Sequence, residues 1–319
     1  MGYKLAGFEV VGANDIDPEM AAIYKANHNP SMYYLKPIDE LVKQFQVEGV
    51  PDELKGLDIL DGSPPCSSFS LAGARDKHWG EKKVFREGQA AQVLDDLFFT
   101  YLDLLELLKP RTFIAENVVG ILSGKAKGYT KAIVQRAREI GYRVQVFKVD
   151  AVSCGVPQHR VRVFFVGTRE EKPELVFRPN RPPVCFSDAT SDLINDDIDI
   201  KKARITPGTV VHHYWEKAKP GQPLNVVHPK NQLFNYKKMP DKGPILTLTA
   251  TAGTMLHNKE PRSLTWKEYI RAGSFPDDFN FNVAKRERKN MIANYVIGMS
   301  VPPFMIRDLS HAVYQQWLS

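Results

Sequence analysis

The first 168 residues alternate short apolar runs with amphipathic ones, and that alternation restricts the fold more than any other feature of the chain. The run "FEVVGAND" (8–15) reads as a strand ending in an acid, and "PEMAAIYKANH" (18–28) as a helix with Pro18 at its first position, where the missing N–H has no partner to lose. "LDILDG" (57–62) reads as a short buried strand, "AAQVLDDLFFTYLDLLELL" (90–108) as a long amphipathic helix and "RTFIAEN" (111–117) as a further strand. A helix over "YTKAIVQRAREI" (129–140) and strands over "YRVQVFKVD" (142–150) and "VRVFFVG" (161–167) complete the rhythm. Strands alternating with helices of this length predict an α/β fold: a mainly parallel sheet with helices on both faces. Ligands in such folds sit outside the carboxyl ends of the strands. Asp15, Cys66 and Glu116 each fall at the end of a predicted strand or just past it, so they are expected to gather along one edge of the sheet.

Beyond residue 169 the rhythm is lost. Proline-rich pieces ("EKPELVFRPNRPP", "KPGQPLNVVHP"), short β-like runs and the paired histidines 212 and 213 continue until "GPILTLTATAGT", after which helical patterning returns. The middle stretch retains Phe, Tyr and Trp for a core of its own, so it reads as a second lobe rather than a linker. At 319 residues and 43% hydrophobic, the chain is long enough for one large domain and a smaller one. Charge divides along the same line: residues 1–200 carry 25 basic and 29 acidic side chains, whereas 201–319 carry 18 and 8. A basic C-terminal third suggests a polyanionic partner, because Lys and Arg neutralising phosphates dominate nucleic-acid affinity. Three scattered cysteines (Cys66, Cys154, Cys185) fit neither a disulfide framework nor a zinc site, and point to a reducing compartment. No apolar run approaches the roughly 20 residues of a bilayer span, and the opening "MGYKLAGFEVVGANDID" lacks signal-peptide form, so an intracellular protein is expected.

One short stretch carries chemistry on its face. In "DGSPPCSSFS" (61–70), Pro64 and Pro65 stiffen the backbone leading into Cys66 directly after a strand, which holds the thiol in place. A free cysteine is usually a small buried hydrophobe, so this stretch alone leaves a packing role and a nucleophilic role open.

The ordered set "SPPCSSFS", "AENVVGIL", "CGVPQHRVRVFFVG", "PRSLTWKEYIRAGSFP" and "NYVIGMSVPPFM" resembles the DNA (cytosine-5) methyltransferase family, over nearly the whole chain except about 170–243. Each motif alone recurs by chance; their order and spacing, with 50 residues from Cys66 to Glu116 and 46 from Glu116 to Arg162, make the resemblance specific. It implies a class I methyltransferase (Rossmann-like) domain over 1–180, a smaller loop- and strand-rich target-recognition domain over 181–275, and C-terminal helices over 276–319 that return to the catalytic domain.

The resemblance also implies roles. C5 of cytosine is a poor nucleophile toward a methyl sulfonium, and adding a thiolate at C6 makes C5 enamine-like; Cys66 is the implied nucleophile. Glu116 matches the family carboxyl that serves N3 of the base, in the manner of a catalytic acid. Arg162 matches the arginine that contacts base and carboxylate, with Arg160 in support. The implied cofactor is S-adenosylmethionine, with Asp15 on the ribose hydroxyls, as strand-end acids act in related folds, and Ile16, Pro64, Leu97 and Met299 around it. Pro37 stands where members commonly carry an Asp for the adenine amino group, and Met299 where many have Asn. The target base must be flipped from the duplex, and "SFSLAGARDKHWGEKKVFREGQ" resembles the mobile loop that closes over it, offering Ser70, Arg75, Lys77 and Lys82 as phosphate contacts, with Arg262 a further DNA contact. His212, His213, Tyr214, Trp215, Asn231, Gln232 and Asn235 are side chains able to read or stack on bases, or to support their own lobe.

Family members open with a strand and a Phe-x-Gly-x-Gly turn that this chain starts just after, with Gly2 as a last remnant of the loop; weak binding of S-adenosylmethionine is expected from it. The implied reaction is methylation of cytosine C5 in a specific duplex DNA sequence through base flipping. It would be carried out by a cytoplasmic, nucleoid-associated monomer of a restriction-modification system with a companion endonuclease. Two other readings remain: a tRNA cytosine-5 methyltransferase on the same scaffold, and a catalytically impaired DNA-binding relative.

Overall fold

The computed structural model describes residues 1–65, 82–83, 92–93, 97–124, 126–194, 197–251, 253–281 and 289–319, the pairs 82–83 and 92–93 and residues 289–291 through their backbone only. The described chain divides into two units: one of residues 7–149, 161–178 and 309–319, which holds the sheet, and one of 1–6, 150–160 and 179–308.

A single helical turn, α1 (Gly2–Leu5), belongs to the second unit. Gly2 lies so close to Ile306 and the Pro303 carbonyl that a Cβ there would overlap both. Gly2 therefore serves helix packing in this structure, not a turn.

The sheet unit begins with β1 (Gly12–Asp15), α2 (Pro18–His28), β2 (Met32–Leu35) and α3 (Ile38–Glu48). Strands β1 and β2 pair in parallel, with Asp15 opposite Leu35. Asp17 caps α2, accepting from the N–H groups of Glu19 at 2.8 Å and Met20 at 3.2 Å. Neither β2 nor α3 is marked by the sequence rhythm above: β2 is four residues long, and Pro37, which interrupts the pattern, stands as the N-cap of α3. Then follow β3 (Ile59–Gly62), the two-residue strands β4 (Lys82–Lys83) and β5 (Gln92–Val93), α4 (Leu97–Leu108), β6 (Thr112–Val118), α5 (Ala126–Glu139), β7 (Arg143–Asp150) and β8 (Val161–Thr168).

The strands form a four-stranded sheet in the order β3-β6-β8-β7 beside the separate β1-β2 pair. β3 runs parallel to β6 and β8 antiparallel to it, so the expected parallel character holds up to β6 and reverses at β8. β6 is apolar until its end because it is buried on both faces: Phe113, Ile114 and Ala115 are wholly covered. Phe98, Tyr101, Leu102 and Leu105 of α4 join Phe113, Ile133, Val163 and Phe165 in the main core. A second cluster joins Leu41, Val42 and Phe45 of α3 to Leu104 and Leu108 of α4. Phe113 and Ala115 point to one face of β6 and Ile114 to the other, and all three are fully buried, so both faces of this central strand are covered.

The second unit holds α6 (Phe186–Ala189), α7 (Asp197–Ala203), α8 (Val210–Lys217), the short parallel pair β9 (Lys237–Lys238) and β10 (Met255–Leu256), α9 (Trp266–Ala272), α10 (Lys289–Met299) and the first part of α11 (Pro303–Val313). The expected strand-rich character is thus reduced to short segments; helices and loops dominate. This unit resumes at Pro179 after its earlier pieces at 1–6 and 150–160. Residues 309–319 group with the sheet unit and 276–308 with the second unit. Trp317 anchors the return: its indole donates to the Pro173 carbonyl at 2.9 Å and is 2% exposed.

Candidate active site

β3 and β6 run side by side, with Gly62 opposite Ala115, so the segment that follows β3 leaves the sheet beside Glu116. Gly62 must lack a side chain, because a Cβ there would overlap the ring of Tyr101, whose hydroxyl donates to the Leu60 carbonyl at 3.1 Å. On the other side of β6, Glu116 lies opposite Phe164 and Val118 opposite Arg162. Glu116 and Arg162 therefore share one face of the sheet as diagonal neighbours.

Their side chains meet. Arg162 Nε lies 2.8 Å from Glu116 Oε1, with side-chain exposures of 16% for the arginine and 12% for the acid. Burial lowers the pKa of Arg162, and the Glu116 charge and hydrogen bond oppose that shift. A guanidinium starting from so high a value stays charged at neutral pH. Arg162 Nη1 also donates to the Val161 carbonyl at 2.9 Å, so the fork is fixed by its own strand as well as by the carboxylate.

Asn117, the next residue on β6, is directed away from that face and is 3% exposed. Its Nδ2 donates to the Pro64 carbonyl at 3.2 Å, while its Oδ1 accepts the Val118 N–H at 2.9 Å. The backbone two residues before Cys66 is thereby tied to the strand that carries Glu116. Sequence reasoning did not single out Asn117; the available signal was a buried amide at the end of an otherwise apolar strand. Cys66, Ser70, Arg75 and Lys77 lie outside the described residues, and Lys82 is described only as part of β4.

At the end of β1, Asp15 accepts the Asp17 N–H at 2.8 Å and remains partly exposed, as do Ile16 and Pro64. Asn14 donates to the Tyr34 and Lys36 carbonyls at 2.9 and 2.8 Å, which fixes the neighbouring strand end. Burial and then the Asp15 charge push the Tyr33 phenol above its ordinary pKa, so the region around this carboxylate is electronegative and partly shielded from water. Leu97 begins α4 and is 6% exposed.

The second unit revises several expectations. Arg160 is buried and donates to the Leu248 carbonyl at 3.2 Å and the Gly298 carbonyl at 2.9 Å, which makes it an internal tie of its own unit. Arg262, expected on DNA, is instead buried in a two-pronged ion pair with Glu268 at 2.9 Å on each arm, and its Nε reaches Glu260 at 2.9 Å. Glu268 is also the third residue of the α9 capping box with Thr265, so the arginine closes a helix start, and a guanidinium engaged this way is not available to a phosphate. Met299 ends α10 with 61% of its surface exposed. His212, His213 and Tyr214 line an open cleft of about 530 Å³ with Thr209 and His228, whereas the Trp215 indole is spent on the His257 carbonyl at 2.8 Å. The Asn231 Oδ1 accepts from the Asn225 Nδ2 at 2.7 Å, which commits that oxygen internally.

The four-stranded sheet packed against helices is Rossmann-like, with the Glu116–Arg162 pair at the end of β6 and Asp15 at the end of β1 in the separate pair. Residues 1–315 match the family model for C-5 cytosine-specific DNA methylases, and the chain belongs to that family as a DNA cytosine-5 methyltransferase. It is similar to the Type II methyltransferase M.DdeI of Desulfomicrobium norvegicum, at 31% identity across 98% of this chain and 85% of that one. It is also similar to M.NgoPII of Neisseria gonorrhoeae, at 26% identity across 98% and 91%. Among solved structures, a candidate DNA modification methyltransferase encoded within an E. coli prophage superposes with a TM-score of 0.71 at 21% identity, covering 100% of this chain and 95% of the other. The Spodoptera frugiperda DNMT2 structure gives 0.65 at 16% identity, covering 98% and 95%; at such identities both share the fold.

Proposed function

We propose that the chain methylates C5 of cytosine in one specific duplex DNA sequence, with Cys66 as the nucleophile, Glu116 as the group at N3 of the base and Arg162 as the residue that orients Glu116. The observation that carries this reading is the Glu116–Arg162 pair at the end of β6, one strand from the segment that leads through Pro64 to Cys66. The Cys66 thiolate adds to C6, forming a C–S bond while the electron pair of the C5–C6 double bond moves toward C5 and the ring takes a proton at N3. Glu116 holds that proton, and Arg162 keeps the carboxylate pointed at one position throughout. Carbon C5 would accept the methyl group from a sulfonium donor, whose sulfur keeps the electron pair of the broken bond; C5 then loses its own proton to a base, N3 gives its proton back to Glu116, and the re-formed C5–C6 double bond expels the thiolate. The enzyme returns unchanged.

The family implies S-adenosylmethionine as the methyl source. The residues at the end of β1 fit it: Asp15 is a partly shielded acceptor for paired hydroxyls, with the apolar Ile16 beside it. Pro64, Leu97 and Met299 are assigned to the cofactor by the family resemblance, while Ser70, Arg75, Lys77 and Lys82 are assigned to DNA phosphates. The Type II designation of the relatives supports a role in a restriction-modification system; a companion endonuclease, a monomeric state and a cytoplasmic location are part of the same proposal.

The test is methyl transfer from labelled S-adenosylmethionine to mixed-sequence duplex DNA, with tRNA and a Cys66→Ala variant in parallel. Label recovered as 5-methylcytosine in DNA, and lost with Cys66→Ala, is the expected result. Label in tRNA alone would replace duplex DNA as the substrate. Tight DNA binding without transfer to either would make the chain a binding relative of the family.

A further inference from the structure

In the second unit, one surface loop is built to hold an aromatic ring in solvent. Residues 225–235 leave and return through one neck, where the Leu224 N–H donates to the Tyr236 carbonyl at 2.8 Å and the Lys238 N–H to the Gln222 carbonyl at 3.0 Å. Compact loops with joined ends are frequently functional. Within this one, Asn231 and Leu233 both have left-handed backbone, with φ of 51° and 63°. Asparagine tolerates that region; leucine pays for it in steric overlap, and such strain persists only where surrounding structure over-determines it.

The surrounding structure does so. The His228 Nδ1 accepts the Lys230 N–H at 3.2 Å and the Gln232 N–H at 3.4 Å, and Asn225 grips Asn231 at 2.7 Å. The Leu233 side chain packs into the cluster of Leu224 and Leu256, with Trp215 and Tyr236. Phe234, between the anchored Leu233 and Tyr236, is turned outward and is 67% exposed. An isolated exposed phenylalanine needs no explanation by itself. A strained leucine that fixes its direction does.

The flanking residues give the ring its partner. Lys230, Gln232 and Asn235, within four positions of Phe234 in the same loop, are exposed as well, so the loop offers solvent a cation for phosphate and two amides able to address base edges beside one flat apolar ring. We propose that Phe234 stacks against a base step of the duplex, as a wedge that sets which sequence is accepted, and that the strained Leu233 turn exists to aim it. The proposal rests on duplex DNA being the substrate. Ring stacking on bases and apolar wedges between steps are general means by which proteins hold and deform nucleic acid.

The experiment compares the full chain with Phe234→Ala, Phe234→Trp and Val47→Ala, the last an exposed apolar residue on α3. The probes are mixed-sequence duplex DNA for binding and base-resolution mapping of 5-methylcytosine for the accepted sequence. Phe234→Ala should bind about tenfold or more weakly, as expected when one stacked base is lost. It should also methylate a pattern relaxed at one or two adjacent positions. The slope of affinity against salt should stay unchanged, because no phosphate contact is removed. Phe234→Trp should keep the pattern, and Val47→Ala should match wild type in every arm. Binding within twofold of wild type and an unaltered pattern for Phe234→Ala would overturn the assignment. Wild type failing to bind or modify any duplex would instead overturn the DNA reading, and this assignment with it.

Discussion

Asn117 donates to the Pro64 carbonyl at 3.2 Å across 53 positions of sequence, so the backbone leading to Cys66 and the strand carrying Glu116 are fastened by one buried amide. The contact acts through position. Asn117→Ala leaves the Pro64 carbonyl and the Val118 N–H without this partner, which costs about 1–3 kcal/mol where the groups are buried. The expected outcome is a kcat reduced at least tenfold with DNA affinity unchanged, because a small displacement of a nucleophile is felt in the chemical step. Single-turnover methyl transfer beside equilibrium DNA binding separates the two. A proportionate loss in both would make Asn117 only a folding residue.

The Glu116–Arg162 pair should tolerate little. Glu116→Gln keeps shape but removes the proton-holding group, and methyl transfer is expected to fall by about 10²–10⁴. Arg162→Lys keeps the charge but loses the planar fork that engages both the carboxylate and the Val161 carbonyl, so it should retain only part of the activity that Arg162→Ala abolishes. Because the guanidinium stays charged, the lysine variant and wild type should share one pH profile between about pH 6 and 9. A displaced profile would show that Arg162 tunes the acid rather than orienting it.

Cys154 supplies an internal contrast for the reactive thiol. It is fully buried, and burial, with the Asp308 charge adding, pushes its thiol up to about 12. A thiol whose folded pKa lies above its unfolded value favours the folded state at neutral pH, and that contribution is constant below the unfolded pKa of about 8.5 and declines as pH rises above it. Brief alkylation of the native protein at pH 8 should therefore leave Cys154 unmodified while Cys66 reacts. Mass spectrometry of the digested protein reads both. Modification of Cys154 at the rate of Cys66 would contradict the burial seen here.

The legible part of the sequence was the part governed by period. Alternation of apolar runs placed β3, β6, β8 and the helices between them, whereas the meeting of Glu116 and Arg162 was implied only by the family resemblance and not by any period. Residues whose roles depend on tertiary partners were not legible. Arg262 looks like any basic residue in a basic segment until Glu268 is found folded back on it from the capping box. Arg160 and Arg162 differ by two positions and read alike, yet one ends on the Leu248 and Gly298 carbonyls and the other on a carboxylate. Asn117 escaped for the opposite reason: nothing in its own strand asks for an amide, and its partner lies in the proline segment before Cys66. The second unit was least legible, because its loops are held by side-chain bonds such as those to His228, which leave no period behind.

Asp308 provides the clearest pH handle on stability. Burial alone would raise its pKa, but Arg181 and Arg307 outweigh burial and hold the carboxyl below its ordinary value. Arg181 contributes bonds of 2.8 and 3.1 Å, and Arg307 one of 2.8 Å. A carboxyl with a depressed folded pKa stabilises the fold above its unfolded pKa of about 3.9, and that contribution is lost as pH falls through the folded value. Asp308→Asn should therefore unfold more easily than wild type at pH 7, by about 1 kcal/mol given that Arg181 is half exposed. The gap between the two should close as acid protonates the native carboxyl. Denaturant titrations at pH 7, 5 and 3 read the difference directly. A gap that stays constant over that range would mean that Asp308 contributes through packing, and that its two arginines contribute nothing through charge.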